Sequence, residues 1–179
     1  MAGRALIVVD TQKGFTTMGN LASERTTAAV PRIREIVAEE HAAGTPIVFT
    51  KDSHVENDLE FEMFPPHCII GTEEQELAPE LQEFEADAAA VIEKRRYSAF
   101  FDTDLEQLMA KLAPDEVHVI GVCTDICVLH TTADLRNRDY RVVIHKDGVE
   151  TFDAPGHDGD EVNRFALAHA EHILGAKVV

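Results

Sequence analysis

Residues 116–138 read EVHVIGVCTDICVLHTTADLRNR. Val117, Val119, Ile120 and Val122 make a short apolar run of strand length. The run passes through Gly121 into a turn, and DICVLHTTADLRNR (125–138) continues with helical character. A buried strand feeding directly into a helix is the repeating unit of α/β folds. The same unit recurs on either side. ALIVVD (5–10) is an apolar run ending in Asp10. SERTTAAVPRIREIVAEEHAA (23–43) carries Val30, Ile33, Ile36 and Val37 on one helical face, with Pro31 marking either a kink or a later helix start. Gly44 stops that helix, and TPIVFTKD (45–52) is a second strand. AVIEK (90–94) is a third, DTDLEQLMAKL (102–112) a helix with Thr103 as N-cap, and YRVVIHKD (140–147) a fifth strand. DEVNRFALAHAEHIL (160–174) is a helix with Val162, Phe165, Ala166, His169 and Ile173 on one face; AKVV closes the chain as a last strand. Most of the strands lack polar alternation, as expected when both faces are covered. The expectation is a three-layer, Rossmann-like, mostly parallel six-stranded sheet with helices on both faces, forming one domain over residues 1–179.

Composition narrows the partners. The 33 acidic and 16 basic residues give a net charge of −17. Such a surface repels phosphates and anionic membranes, so neither nucleic acid nor membrane is expected as a partner. No stretch reaches the ~18 apolar residues of a membrane span, and MAGRALIVVD lacks the longer apolar core of a secretory signal. Three cysteines, Cys68, Cys123 and Cys127, fit free thiols in a reducing compartment better than a disulfide framework, and the cytoplasm is the expected location.

In open parallel sheets, ligands bind beyond the carboxyl ends of the strands. The residues at those ends are Asp10, Asp52 followed by His54, Lys94, and the segment 121–127. Cys127 falls in the first turn of a helix, where unpaired N–H groups and the helix dipole favour a thiolate and could hold an oxyanion. A free Cys is otherwise a small buried hydrophobe, and that reading suits Cys68. Asp52 and His54, two apart on extended backbone, share a face. His67 follows Pro65-Pro66, which fix the backbone. Carboxylate with imidazole suits zinc, manganese or iron. Arg95 and Arg96 read as solvated.

GVCTDIC (121–127), DTQKGF (10–15), KRRYSAF (94–100) and DSH…PPH (52–67) together resemble the nicotinamidase/isochorismatase-like cysteine hydrolases, and the resemblance runs from Val8 to the final LGAKVV. It implies Cys127 as nucleophile, Asp10 as the proton shuttle and Lys94 as the catalytic cation, expected to lower the thiol pKa. It also implies a cis peptide between Val122 and Cys123, with the Cys123 and Cys127 N–H groups forming the oxyanion hole. One divalent metal, zinc first and iron or manganese as alternates, would be held by Asp52, His54, His67 and a loop residue. Glu60 is the choice for that fourth ligand, with Glu56, Asp58 and Glu62 as competitors. Phe15, Phe64 and Tyr97 would contact the substrate. The activity implied is hydrolysis of nicotinamide, and of pyrazinamide, through a cysteine thioester. Two rivals stand beside it: another cysteine amidohydrolase acting on a ureido or maleamic amide, and a non-catalytic metal-binding protein. A homo-oligomer is compatible with either.

Overall fold

The computed structural model describes residues 3–179. Six strands, β1 (Arg4–Val9), β2 (Ile47–Asp52), β3 (Ala90–Lys94), β4 (Glu116–Val122), β5 (Arg141–Glu150) and β6 (Lys177–Val178), form one sheet in the order β3-β2-β1-β4-β5-β6. Every pairing is parallel. The chain starts at the centre, builds outward to β3, then returns to lay β4 against the free side of β1. The strand order therefore reverses between β1 and β4, where such sheets open a crevice.

Strand periodicity explains the three layers. Ala5, Ile7 and Val9 of β1 face one side with Leu105, Met109, Leu135 and Ala170. These come from α4 (Leu105–Leu112), α5 (Leu129–Asn137) and α6 (Gly159–His172). Leu6 and Val8 face the other side with Phe15, Ile33, Ile36, Val37 and Phe84, from α1 (Lys13–Thr16), α2 (Glu24–Ala42) and α3 (Gln82–Glu85). Successive side chains of one strand thus serve two cores.

The local details follow chain chemistry. Ser23 caps α2 by accepting from Arg25 N at 3.2 Å. The helix runs unbroken through Pro31, whose side is exposed. α4 begins three residues later than the spacing predicts: Asp102 takes a φ of 56°, and Asp104 rather than Thr103 is the N-cap. The Thr103 hydroxyl still accepts from Leu105 N at 3.3 Å. β5 runs three residues beyond Asp147, because a bulge absorbs the polar stretch His145–Gly148 that reads as a strand end: Val119 pairs with Ile144, and Gly121 with Val149. On α6 the expected apolar face holds at Ala166 and fails at its two large residues. Phe165 and Ile173 are 69% and 71% exposed, while Ala166 and Ala170 are buried. The helix lies close to its neighbours through small residues, which leaves no room for the large ones.

Gly121 is the residue that lets β4 lie against β1. Its φ is 118°, and a Cβ there would stand 2.1 Å from the Val9 carbonyl oxygen. Gly121→Ala should destabilise the protein by on the order of 3 kcal/mol or more through strain and backbone clash, read as a lower urea midpoint. Wild-type stability in that variant would contradict the close approach.

Candidate active site

Four strand ends meet at the β1–β4 crevice. Lys94, the last residue of β3, is fully buried, with Nζ 2.7 Å from Asp10 Oδ2, 3.2 Å from Asp52 Oδ1 and 3.5 Å from Cys127 Sγ. Asp10 follows β1 with φ 41°. Its Oδ1 accepts from the Thr50 hydroxyl at 2.6 Å, and its N–H donates to the same hydroxyl at 3.1 Å. Gln12 fixes the neighbouring strand end. Its side-chain amide donates to the Asp52 carbonyl at 2.9 Å and accepts from the Asp52 N–H at 2.7 Å, a pairing that mimics sheet backbone.

Burial and charge set the protonation states. Burial alone would raise the Asp52 carboxyl, but Lys94 and the close approach of the His54 and His67 rings outweigh it and hold Asp52 ionised. At Asp10 burial wins over Lys94, and the Asp52 charge adds to it, so the carboxyl is raised above its ordinary value. Burial would lower the Lys94 ammonium, but Asp10 and Asp52 hold it well above the usual lysine range. The thiol of Cys127 is pushed well above its ordinary value, first by burial and then by Asp10 and Asp52; Lys94 offsets only part. This corrects the expectation of a cation-depressed thiol. One ammonium cannot neutralise two carboxylates and a thiolate together, so the resting thiol keeps its proton.

Cys127 lies in a π-helical turn (Thr124–Val128) that precedes α5. The N–H groups of Ile126 and Val128 donate to the Cys123 carbonyl at 3.1 and 3.2 Å, and the Cys127 N–H between them does not. The Val122–Cys123 peptide is cis. Cys68 is fully buried, and burial raises its thiol.

Beyond Asp52 the chain makes a loop that returns to its own start. His54 N–H donates to the Cys68 carbonyl at 3.1 Å, and Ile70 N–H to the His54 carbonyl at 2.9 Å. That closure brings Asp52, His54, Glu60 and His67 together, with one candidate ligand atom from each within 4.8 Å of the others. His54 Nε2 and His67 Nε2 lie 3.2 and 3.3 Å from Asp52 Oδ2, and Glu60 Oε1 lies 3.9 Å from His54 Nε2. His67 Nδ1 meets the Pro65 carbonyl at 2.8 Å, which leaves Nε2 as the acceptor aimed at the cluster. Glu60 Oε2 is buried without a hydrogen-bond partner among the described residues, and the two His54 ring nitrogens face the Asp52 and Asp58 carboxylates at 3.2 Å without aligned hydrogen bonds. Two imidazoles, two carboxylates and unmet polar atoms are what a divalent cation would satisfy. Among the competing carboxylates, Asp58 is buried but caps the turn Leu59–Glu62 instead, while Glu56 and Glu62 are exposed.

Phe15, Phe64 and Tyr97 all line one cleft, together with Asp52, Glu60, His67, Cys123 and Cys127. Three further lining residues, Leu21, Ile126 and Phe152, were not singled out from sequence. Phe152 is held by stacking on His157, with centroids 4.2 Å apart, and His157 Nε2 pairs with Asp125 Oδ2 at 3.0 Å. Arg96 is also not solvated as expected: it binds Asp58 Oδ1 at 2.7 Å.

A family profile described as the isochorismatase domain matches residues 4–173. The chain belongs to the isochorismatase family. It is 42% identical over 143 residues to the uncharacterised isochorismatase family protein PncA of Bacillus subtilis, an alignment spanning 75% of each chain. The crystal structure of a pyrazinamidase/nicotinamidase from Streptococcus mutans superposes with a TM-score of 0.89 at 33% identity, covering 99% of this chain and 100% of that one. A pyrazinamidase of Pyrococcus horikoshii in complex with zinc gives 0.85 at 30% identity, with 98% of each chain covered. Among the described residues, no helix is long and apolar enough to cross a membrane.

Lys94→Met should cost about 3–5 kcal/mol, because it leaves Asp10 and Asp52 buried without their counter-charge. Without the ammonium, Asp10 would be raised further and Asp52 would lose the main charge that holds it low, so the variant's stability falls as pH rises, and the deficit should be larger at about pH 7 than at about pH 4. Urea titrations at both values check this, and an equal deficit at both would contradict the charge argument.

Proposed function

We propose that this family member is a metal-dependent cysteine amidohydrolase that converts nicotinamide to nicotinate and ammonia, and pyrazinamide to its acid. The observation that carries the reading is a single aromatic cleft lined by Cys127 and by three of the four metal-competent residues. The similarity to the pyrazinamidase/nicotinamidase of S. mutans supports the substrate class, and the zinc-bound relative supports a divalent ion. Zinc is the ion proposed for Asp52, His54, Glu60 and His67. When bound it supplies a Lewis acid that anchors and polarises an aromatic amide.

The remaining chemistry belongs to the chain. Phe15 and Phe64, both near His67, hold the ring, and Tyr97 closes the cleft. Asp10 takes the Cys127 proton. A carboxyl raised by burial is a stronger base than an ordinary carboxylate, and the transfer leaves the total charge around Lys94 unchanged. Sulfur attacks the amide carbon, and the oxyanion is received by the Cys123 and Cys127 N–H groups. Asp10 returns the proton to nitrogen, the C–N bond breaks, and ammonia leaves a thioester on Cys127. Asp10 then deprotonates a water that attacks the thioester. The C–S bond breaks, the proton returns to sulfur, and the acid departs. Lys94 holds Asp10 in place and balances charge at each stage.

Purified protein given nicotinamide should release ammonia, lose that activity on chelation and regain it with zinc, while Cys127→Ala should remain folded and inactive. Activity indifferent to metal would leave the hydrolase and remove the ligand roles. No release from reduced, zinc-loaded protein would turn the substrate to a ureido or maleamic amide. An active Cys127→Ala would overturn the nucleophile.

A further inference from the structure

The KRRYSAF segment contains two adjacent arginines that look equivalent in sequence and differ in structure. Arg95 points outward, 3.6 Å from Asp102 and over the exposed Phe101 ring. Arg96 turns inward. Its Nη1 is 2.7 Å from Asp58 Oδ1 and 3.7 Å from Glu60 Oε2, and it also donates to the Arg95 carbonyl. Both carboxylates are almost fully buried.

Asp58 in turn has two contacts with the metal-competent group. Oδ1, already shared with Arg96, accepts from Glu60 N–H at 3.0 Å and so caps the turn that carries Glu60. Oδ2 stands 3.2 Å from His54 Nδ1, on the side of the ring opposite the Nε2 that faces Asp52. An outer carboxylate on the free nitrogen of a metal-bound histidine fixes the ring's tautomer and direction. Here that carboxylate shares the His54 ring with Asp52 and the Arg96 guanidinium with Glu60. Three buried carboxylates without local compensation would repel one another and compete for the same cation. Arg96 resolves this. It occupies Asp58 Oδ1, which would keep Asp58 off a bound cation. It also draws Glu60 Oε2 aside, so that Oε1 is the oxygen turned toward His54.

We propose that Arg96 is a positioning residue of the metal site, acting through Asp58 on His54 and directly on Glu60, so that Glu60 binds zinc through one oxygen while Asp58 orients His54 without binding. This rests on the reading of Asp52, His54, Glu60 and His67 as a zinc site. Arg96 does not touch substrate; its effect is on the affinity and geometry of the ion.

The test is zinc affinity, measured by competition with a chromophoric chelator on the full chain and independent of any turnover assay. Arg96→Met and Asp58→Asn should each weaken zinc by about 10–100-fold. The Asp58→Asn side chain retains an oxygen for the Glu60 N–H, so this variant keeps the cap and tests the charge even where Arg96→Met fails to fold. Combined, the two substitutions should cost less than the sum of the singles, because both break one unit. Arg96→Lys should recover part of the loss, since a point charge can pair with Asp58 but cannot span both carboxylates. Arg95→Met should bind as the wild type does. Unchanged affinity in folded Arg96→Met and Asp58→Asn, with a wild type that binds zinc, would overturn the inference. A wild type that binds no zinc would remove the metal-site reading and the inference with it.

Discussion

A single buried ammonium organises this molecule. Lys94 Nζ lies between Asp10 and Asp52 and within 3.5 Å of Cys127, so the ends of β1, β2 and β3 and the turn after β4 converge on one positive charge. Neither carboxylate could remain ionised at that depth without it, and the ammonium could not remain charged without them. The cost of burying the charges is offset only when all three strand ends are in register. That register depends on Gly121, which allows β4 against β1, and on Gln12, which pins the backbone of Asp52. The proposed catalytic constellation and the sheet are therefore one cooperative object.

The same charge explains how a thiol with a raised pKa can serve as the proposed nucleophile. A free thiolate in this cluster would add a second net negative charge, whereas moving a proton from Cys127 to Asp10 adds none. The site favours transfer within the cluster over ionisation into solvent. Asp52 has a second role, because its Oδ2 faces His54 and His67 while Oδ1 faces Lys94. One carboxylate joins the region where an ion would hold the substrate to the region where its amide would be cut. Arg96 and Asp58 extend that network beyond His54.

Much of this was legible in the sequence, for reasons that particular residues make plain. Strands that end abruptly in Asp10, Asp52 and Lys94 are apolar runs with one polar terminus, and parallel sheets gather such termini at one edge. A mostly parallel, doubly covered sheet followed from the same runs, and in the structure every pairing is parallel. What escaped was set by three-dimensional context. His145–Gly148 reads as a turn because polar residues and glycine interrupt the apolar pattern, and the bulge that carries β5 to Glu150 has no local signature. Periodicity on α6 marks Phe165 and Ile173 as core, yet the helix packs through Ala166 and Ala170. Thr50, Phe152 and Arg96 matter through partners distant in the chain. Only the buried position of Thr50 inside an apolar strand gave a local hint. Spacing alone does not separate the four loop carboxylates: burial sets Asp58 and Glu60 apart from Glu56 and Glu62, and Asp58 is taken by Arg96 and the Glu60 N–H.

The central claim is that Cys127 becomes acylated with Asp10 as its proton partner. The direct measurement is acid quenching of the zinc-loaded protein during nicotinamide turnover, followed by peptide mass spectrometry. The account predicts a nicotinoyl thioester on the peptide containing Cys127, carried by Cys127 and not by Cys123, and absent from Asp10→Asn protein. Steady turnover with no acylated cysteine, or with the acyl group on Cys123, would contradict it.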